Sequence, residues 1–223
     1  MSFYVENGGQ ASNFKNVPGG LHLARCYRIV DLGTQKSEYN SEVSFKRKIM
    51  VGWELHGEDS DGQPLMTDDL KPMAIFKNYT LSWGEKATLR IDLQAWRGKP
   101  FSSEEMTRFD LKNILGQWCM ANVIQKPVNG KIYSNVASLT PVPQVVKTAG
   151  LPKGINVCQI FNISEPDMKV FETFSKNLKA KIEASPEWKA RTNTGFEEMP
   201  DDLEDESDAV SYTHLTLPTK RIV

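Results

Sequence analysis

The chain of 223 residues carries 27 basic and 28 acidic side chains, a formal net charge of −1, and 39% of its residues are hydrophobic. No stretch approaches the ~18 consecutive apolar residues of a transmembrane helix, and the N-terminus lacks the features of a secretory signal, so we expect neither a membrane span nor export. Cys26, Cys119 and Cys158 are widely separated. This spacing excludes a disulfide scaffold and a cysteine-rich zinc site, and it is typical of a reducing cytosol.

The charge is distributed unevenly along the chain. Residues 197–210 contain eight acidic side chains and no basic one, whereas the residues before them are mildly basic. We therefore expect a folded body followed by a disordered acidic tail over 193–210. Residues 211–223 resemble translated sequencing-adapter read-through, and we assign them no part in fold or function. The alternative for this last segment is a genuine short basic tail.

The N-terminal half has the sequence pattern of a β-sheet. Residues 1–20 are rich in Asn and Gly and predict a flexible arm. Alternating apolar residues then predict strands at 21–33, 45–57 and 73–83. In the second of these, Phe45 and the residues at two-residue steps after it form a mostly apolar face, which we expect to enter the core.

A helical period follows the third predicted strand. Ser82 and Glu85 have the spacing of a capping box at the start of one helix, and Ser102 begins a second helical stretch over 102–116. Two further strands, 118–127 and 131–141, are joined across Asn129-Gly130, a strong hairpin signal.

This order of elements predicts a mainly β protein. Five strands with a helical insert between strands 3 and 4 are typical of the OB-fold barrel, which we place over 21–143. An SH3-like barrel or an open sheet would also use five short strands, and the long helical connector favours the OB-fold. Residues 144–192 predict a connector and an amphipathic helix, with Phe171, Phe174 and Ile182 on its apolar face. That helix could pack on the barrel or pair with another subunit, which leaves a homo-oligomer open.

The residues present argue against an enzyme. His22 and His56, the histidines of the body, lack the neighbours of a metal-binding or catalytic motif, and no glycine-rich phosphate loop occurs. The carboxylate pairs Asp68-Asp69 and Glu104-Glu105 lie at loop or helix starts, where solvation or the helix dipole explains them. We therefore expect no catalytic residues, no metal and no cofactor.

Basic residues alternate with aromatic residues on the strand-like segments. Cations that follow phosphates and rings that stack on bases are the mixture that single-stranded nucleic acid requires. The candidate binding residues are Arg25, Arg28, Lys46, Lys48, Phe76, Lys77, Tyr79, Arg97, Lys99, Lys131 and Tyr133. The alternative is that the aromatic residues fill the core and the lysines are solvated. On the binding interpretation, Tyr79→Ala weakens binding at every salt concentration, and Lys46→Ala lowers the salt slope by about one unit.

Four segments together resemble a family of bacteriophage-encoded single-stranded DNA-binding proteins with an OB-fold. They are PGGLHLARCYRIVDLGTQ (18–35), KIMVGWEL (48–55), NYTLSWGEKATLRIDLQAWRGKPFSSEEM (78–106) and FDLKNILGQWCMANV (109–123). The resemblance covers roughly residues 14–143. It implies a protein that coats single-stranded DNA during phage replication or recombination in the cytoplasm of the bacterial host, without strong sequence preference.

The resemblance and the acidic tail also suggest partners. Single-stranded DNA is the expected ligand, and the tail is an expected contact for replication or recombination proteins. Three other functions stay open: a protein-interaction module of a phage replisome, an RNA-binding protein, and a metal-dependent nuclease that uses the scattered carboxylates.

Overall fold

The computed structural model describes residues 16–39 and 42–193. Most of the expected arm, most of the expected acidic tail and all of segment 211–223 lie outside these residues. The described residues form a mainly β structure, an open six-stranded sheet with short helices. None of the described helices is long and apolar enough to cross a membrane.

The strands of the sheet are β1 (Gly20–Tyr39), β2 (Glu42–His56), β3 (Ala74–Thr80), β4 (Trp118–Val128), β5 (Lys131–Thr140) and β6 (Gln159–Phe161). Their order is β3-β2-β1-β4-β5, with antiparallel neighbours, and the short β6 pairs in parallel with the middle of β1. The five predicted strands are confirmed, whereas β6 was not predicted. The edge strands β3 and β5 pass within 8 Å of one another between Cα atoms. No hydrogen-bonded ladder joins them among the described residues, so the sheet is open.

The helices are α1 (Thr88–Arg97), α2 (Ser103–Arg108), α3 (Gln144–Ala149), α4 (Met168–Glu172), α5 (Lys176–Glu183) and α6 (Pro186–Asn193). The predicted helical insert between β3 and β4 is confirmed. The predicted cap at Ser82 is wrong, because α1 begins after Ala87, which makes no capping bond with its side chain. The capping box of Ser102 and Glu105 is present at α2.

The single C-terminal helix predicted over 165–184 is instead two short helices, α4 and α5, and a third, α6, follows the predicted end at Ser185-Pro186. Ser175 caps α5 by accepting a hydrogen bond from the Leu178 amide, and Pro186 begins α6. Cap residues within the amphipathic stretch therefore divide it, although its apolar residues still face one side.

Two apolar cores lie on opposite sides of the sheet. The larger one covers the inner face, where Trp53 of β2 packs against Trp96 of α1 with ring centroids 6.1 Å apart. The smaller core lies on the outer face, where Val30 and Leu32 of β1 contact Phe161, Ile182 and Trp188. Residues 159–193, here called the C-terminal module, therefore pack on the sheet of their own chain.

A buried carboxylate joins the connector before this module to the sheet. Glu54 of β2 is completely buried, and its oxygens accept hydrogen bonds from the Arg25 guanidinium at 2.9 Å and from the Ile155 and Asn156 amides at 3.1 and 2.6 Å. His56 Nε2 lies 3.2 Å away. Burial alone would raise the pKa of Glu54, but the bonds from Asn156, Arg25 and His56 outweigh it and hold the pKa below its ordinary value.

This network predicts the effect of Glu54→Gln on stability. The variant leaves the Arg25 guanidinium without its anionic partner, so the free energy of unfolding at neutral pH should fall by about 3 kcal/mol. A carboxyl group with a lowered pKa stabilises the fold above its unfolded-state pKa, and this contribution is lost as the pH falls through the folded-state pKa. In urea titrations, the difference between parent and variant should therefore shrink in acid.

The exposed Glu165 supplies the control, because Glu165→Gln should leave the unfolding curve unchanged. Equal stability of the parent and Glu54→Gln at neutral pH would contradict the role assigned to the network.

Candidate nucleic-acid interface

A row of three residues crosses the outer face of the sheet. Arg28 of β1 lies opposite Gly52 of β2, which lies opposite Phe76 of β3. A Cβ atom on Gly52 would lie 2.5 Å from Phe76 Cε1, so the glycine leaves the space in which the ring lies against β2. Phe76 remains 39% exposed, although phenylalanine is among the residues most often buried in folded proteins.

Two neighbours hold this aromatic surface in place. Tyr27 meets Phe76 edge to face, with centroids 6.3 Å apart, and the Arg28 guanidinium lies 5.3 Å from the Tyr27 ring. Arg28 also donates to Gln159 Oε1 at 2.7 Å. Tyr27 and Phe76 line a cavity of about 460 Å³ that also contacts Lys71 and Asn156. The row therefore combines an accessible ring, a cation and an open cavity.

Lysines continue this surface along β2. Lys46 and Lys48 lie on the same side of the regular strand as Gly52, because side chains alternate between faces with a period of two. Lys46 is exposed and Lys48 is half-buried. We call Lys46, Lys48, Arg28, Gly52 and Phe76 together the outer strip.

Arg25 lies on the same face, but its guanidinium is already hydrogen-bonded within the chain. Its guanidinium donates to Glu54 at 2.9 Å, to the Asn156 carbonyl at 3.1 Å and to Cys158 Sγ at 3.1 Å. These three contacts give Arg25 a structural role and remove it from the candidate interface.

Lys77 and Tyr79 do not belong to the candidate interface either. Both face the inner side of β3, where Asp92 of α1 accepts a hydrogen bond from Lys77 Nζ at 2.6 Å and from the Tyr79 hydroxyl at 2.7 Å. The Tyr79 ring is 3% exposed and belongs to the inner core. Burial, followed by the charge of Asp92, raises the pKa of the Tyr79 hydroxyl. A ring enclosed in this way has no face on which a base could stack, which corrects the expectation for Tyr79→Ala.

Arg97 and Lys99 lie elsewhere, at the junction of α1 and α2. Arg97 makes two hydrogen bonds to Glu105, of 2.7 and 3.2 Å, and its guanidinium lies 4.2 Å from the Phe101 ring. With the Ser102 amide, this pairing lowers the pKa of Glu105 to about 2. Arg97 is therefore engaged within the insert, while Lys99 is exposed beside it.

Lys131 and Tyr133 lie near the end of the β4–β5 hairpin. Asn129 and Gly130 form its turn with φ values of 50° and 75°. Lys131 and Tyr133 are both exposed, and Tyr133 lies opposite Lys126. The structure thus places them on a hairpin, apart from the outer strip.

The sequence reasoning missed the close approach of Phe76 to Gly52 and the exposure of Phe45. Gly52 was a signal, because a glycine within a strand often marks a close approach by another group. Phe45 was expected in the core, but it is 68% exposed because the β1–β2 hairpin extends beyond the inner core. The only signal in the sequence was the length of the strand, because a strand longer than about ten residues extends beyond the core of a small sheet.

The comparisons with known proteins add no identification. No protein-family model matches the chain, and a search of curated proteins finds no match. The family resemblance seen in the sequence therefore stays an expectation. Among the described residues, no group of three or more His, Cys, Asp or Glu side chains could hold a metal ion.

The placement of Tyr79 predicts the behaviour of Tyr79→Phe. Loss of the hydroxyl removes a buried hydrogen bond to Asp92, so the free energy of unfolding should fall by about 1 kcal/mol. The ring remains in the core, and affinity for nucleic acid should not change. Thermal unfolding and a binding titration on the same sample test both statements, and a loss of affinity without a loss of stability would return Tyr79 to the interface.

Proposed function

We propose that the protein is a non-enzymatic, single-stranded DNA-binding protein of a phage or prophage, built on an OB-fold. The strand order β3-β2-β1-β4-β5, with helices between β3 and β4, supports the OB-fold. The approach of the edge strands β3 and β5 supports it further, because those strands would close the barrel. The resemblance over residues 14–143 points to the same family.

The exposed Phe76 ring beside Arg28 is the observation that carries the proposal. OB-folds bind oligonucleotides on the face of strands 2 and 3 and at the loops that join strands 1 to 2 and 4 to 5. Phe76 and Gly52 lie on that face, Lys46 lies in the first hairpin, and Lys131 and Tyr133 lie in the second. A ring that stacks and cations that contact phosphates would bind a strand with little sequence preference.

Exposed apolar side chains at the hairpins favour a second candidate, a protein-interaction module. Val43 and Phe45 of the first hairpin and Val128 and Ile132 of the second are each between 49 and 68% exposed. If the chain is such a module, a replication protein binds through these residues and oligo-dT does not bind, which distinguishes this candidate from the first.

A titration of the full chain with labelled oligo-dT tests the proposal. An oligonucleotide of about 30 nucleotides is chosen because that length spans more than one OB-fold site. Duplex DNA and oligo-rU are titrated in parallel, at about 50 and 200 mM salt. Tight, salt-sensitive binding to oligo-dT with weak duplex binding is expected. Tighter binding to oligo-rU would favour the RNA alternative, and no binding to any of the three would overturn the proposal.

The stacking role predicts the result for Phe76→Ala. Stacking on an aromatic ring contributes about 1–3 kcal/mol per base, so the Kd for oligo-dT should rise about tenfold or more. The salt slope should stay unchanged because no charge is removed. Val145→Ala, which shortens an exposed side chain on α3, is the control and should bind like the parent. A Phe76→Ala variant with parental affinity would exclude the ring from the interface.

Gly52→Ala tests the same ring without altering it. The new methyl group would occupy the space of Phe76 Cε1, and the ring would have to turn away from β2. We expect weaker oligo-dT binding, and little further loss when Gly52→Ala is combined with Phe76→Ala, since both changes remove one stacking site. Gly19→Ala, at a glycine with ordinary space for a Cβ, is the matched control. If the loss of affinity in the double variant equals the product of the two single losses, the two changes do not act on one stacking site.

A further inference from the structure

Lys46 and Lys48 lie near the place where the first hairpin contacts Lys181 of the C-terminal module. Lys46 and Lys48 lie on the outer side of β2, and Gln35 of β1 lies opposite Lys46. Gln35 Nε2 donates a hydrogen bond of 3.0 Å to the backbone carbonyl of Lys181 in α5. The strand register and this bond together bring the module's Lys181 to the end of the outer strip.

The position of Lys181 is set by its neighbour in α5. Ile182 is completely buried in the outer core, where Met50 of β2 also packs, so α5 cannot rotate without exposing that side chain. Lys181 itself is half-buried at the rim of the module. Burial, followed by the positive charge of Lys48, lowers the pKa of the Lys181 ammonium group. The two ammonium groups are thus near enough to repel one another.

Within residues 16–39 and 42–193, no carboxylate forms an ion pair with these lysines. Lys46, Lys48 and Lys181 form no ion pair there, whereas Arg25, Arg47, Lys77, Arg97, Arg108 and Lys179 each pair with a carboxylate. Holding two like charges together without a counter-ion is unfavourable, and a bound anion would reverse that effect. The pair therefore has the electrostatics of an anion site.

We propose that Lys48 and Lys181 together bind one backbone phosphate of the single strand, with Lys46 beside it, so that the C-terminal module forms one wall of the nucleic-acid site. This inference rests on the proposed function and assigns a part of the binding site to a segment outside the five-stranded domain. Lys48 is four residues from Gly52 along β2, about 13 Å at ~3.3 Å per residue. A strand stacked on Phe76 would reach the two lysines by following β2.

The test compares Lys48→Met, Lys181→Met and the double variant in the full chain. Methionine keeps the apolar stem of lysine and removes only the charge. Each single change should weaken oligo-dT binding about tenfold at low salt, as expected for the loss of a hydrogen bond to a charged group, and should reduce the salt slope. The double variant should lose less than the product of the two single losses, because both lysines contact the same phosphate.

Lys189→Met is the matched control, since Lys189 is exposed on α6 of the same module. Its binding should equal that of the parent. Lys181→Arg, which keeps the charge, should retain most of the affinity, and this rescue separates a phosphate contact from a packing effect.

The outcomes separate this inference from the proposed function. If the parent does not bind oligo-dT, the proposed function fails and the inference fails with it. If the parent binds and Phe76→Ala is weakened while Lys181→Met binds like the parent, the inference alone is overturned. If the double variant loses as much affinity as the product of the two single losses, the claim that both lysines contact one phosphate is overturned.

Discussion

The irregular register of β1 decides which side chains reach each face of the sheet, and both the candidate interface and the place of the C-terminal module follow from it. Between Cys26 and Arg28, and again between Asp31 and Thr34, β1 has one more residue than β2. Each extra residue reverses the alternation of side chains. Cys26 therefore enters the inner core, whereas Arg28 and Val30 reach the outer face. Without the first shift, strict alternation would direct Arg28 into the inner core, where its charge would lack a partner.

The second shift allows the C-terminal module to approach. Gly33 has a φ of 66°, and a Cβ there would lie 2.6 Å from Ser185 Cβ. The adjacent Thr34 donates two hydrogen bonds, of 2.9 and 2.6 Å, to the Glu187 carboxylate of α6. The module is thereby fixed over β1, and the outer face of β2 and β3 is left partly open. The candidate interface is the strip that the module does not cover.

The alternation of side chains within each strand explains which site residues could be predicted from the sequence. The alternation within β2 separates Trp53 from Lys46 and Lys48, and the structure agrees because β2 has no irregularity. In β3, Phe76 and Tyr79 are three residues apart and must face opposite sides, yet both were expected to bind. Asp92, sixteen residues after Phe76, provides the partner that keeps the Tyr79 hydroxyl and the Lys77 ammonium inside. A pairing between a strand and a later helix has no local pattern from which it could be predicted.

Local sequence pattern is enough to predict the order of the five strands, the helical insert, the Asn129-Gly130 hairpin and the apolar side of the C-terminal helices, because each depends on residues close together in the chain. Only the folded chain shows which cations are paired, which rings are buried and where the C-terminal module lies. Those properties depend on contacts such as Arg25 with Glu54 and Gln35 with Lys181, which join distant segments. The types of residue in a binding surface can therefore be predicted from local pattern. Which individual residues are free to bind depends on the ion pairs and the burial that the fold creates.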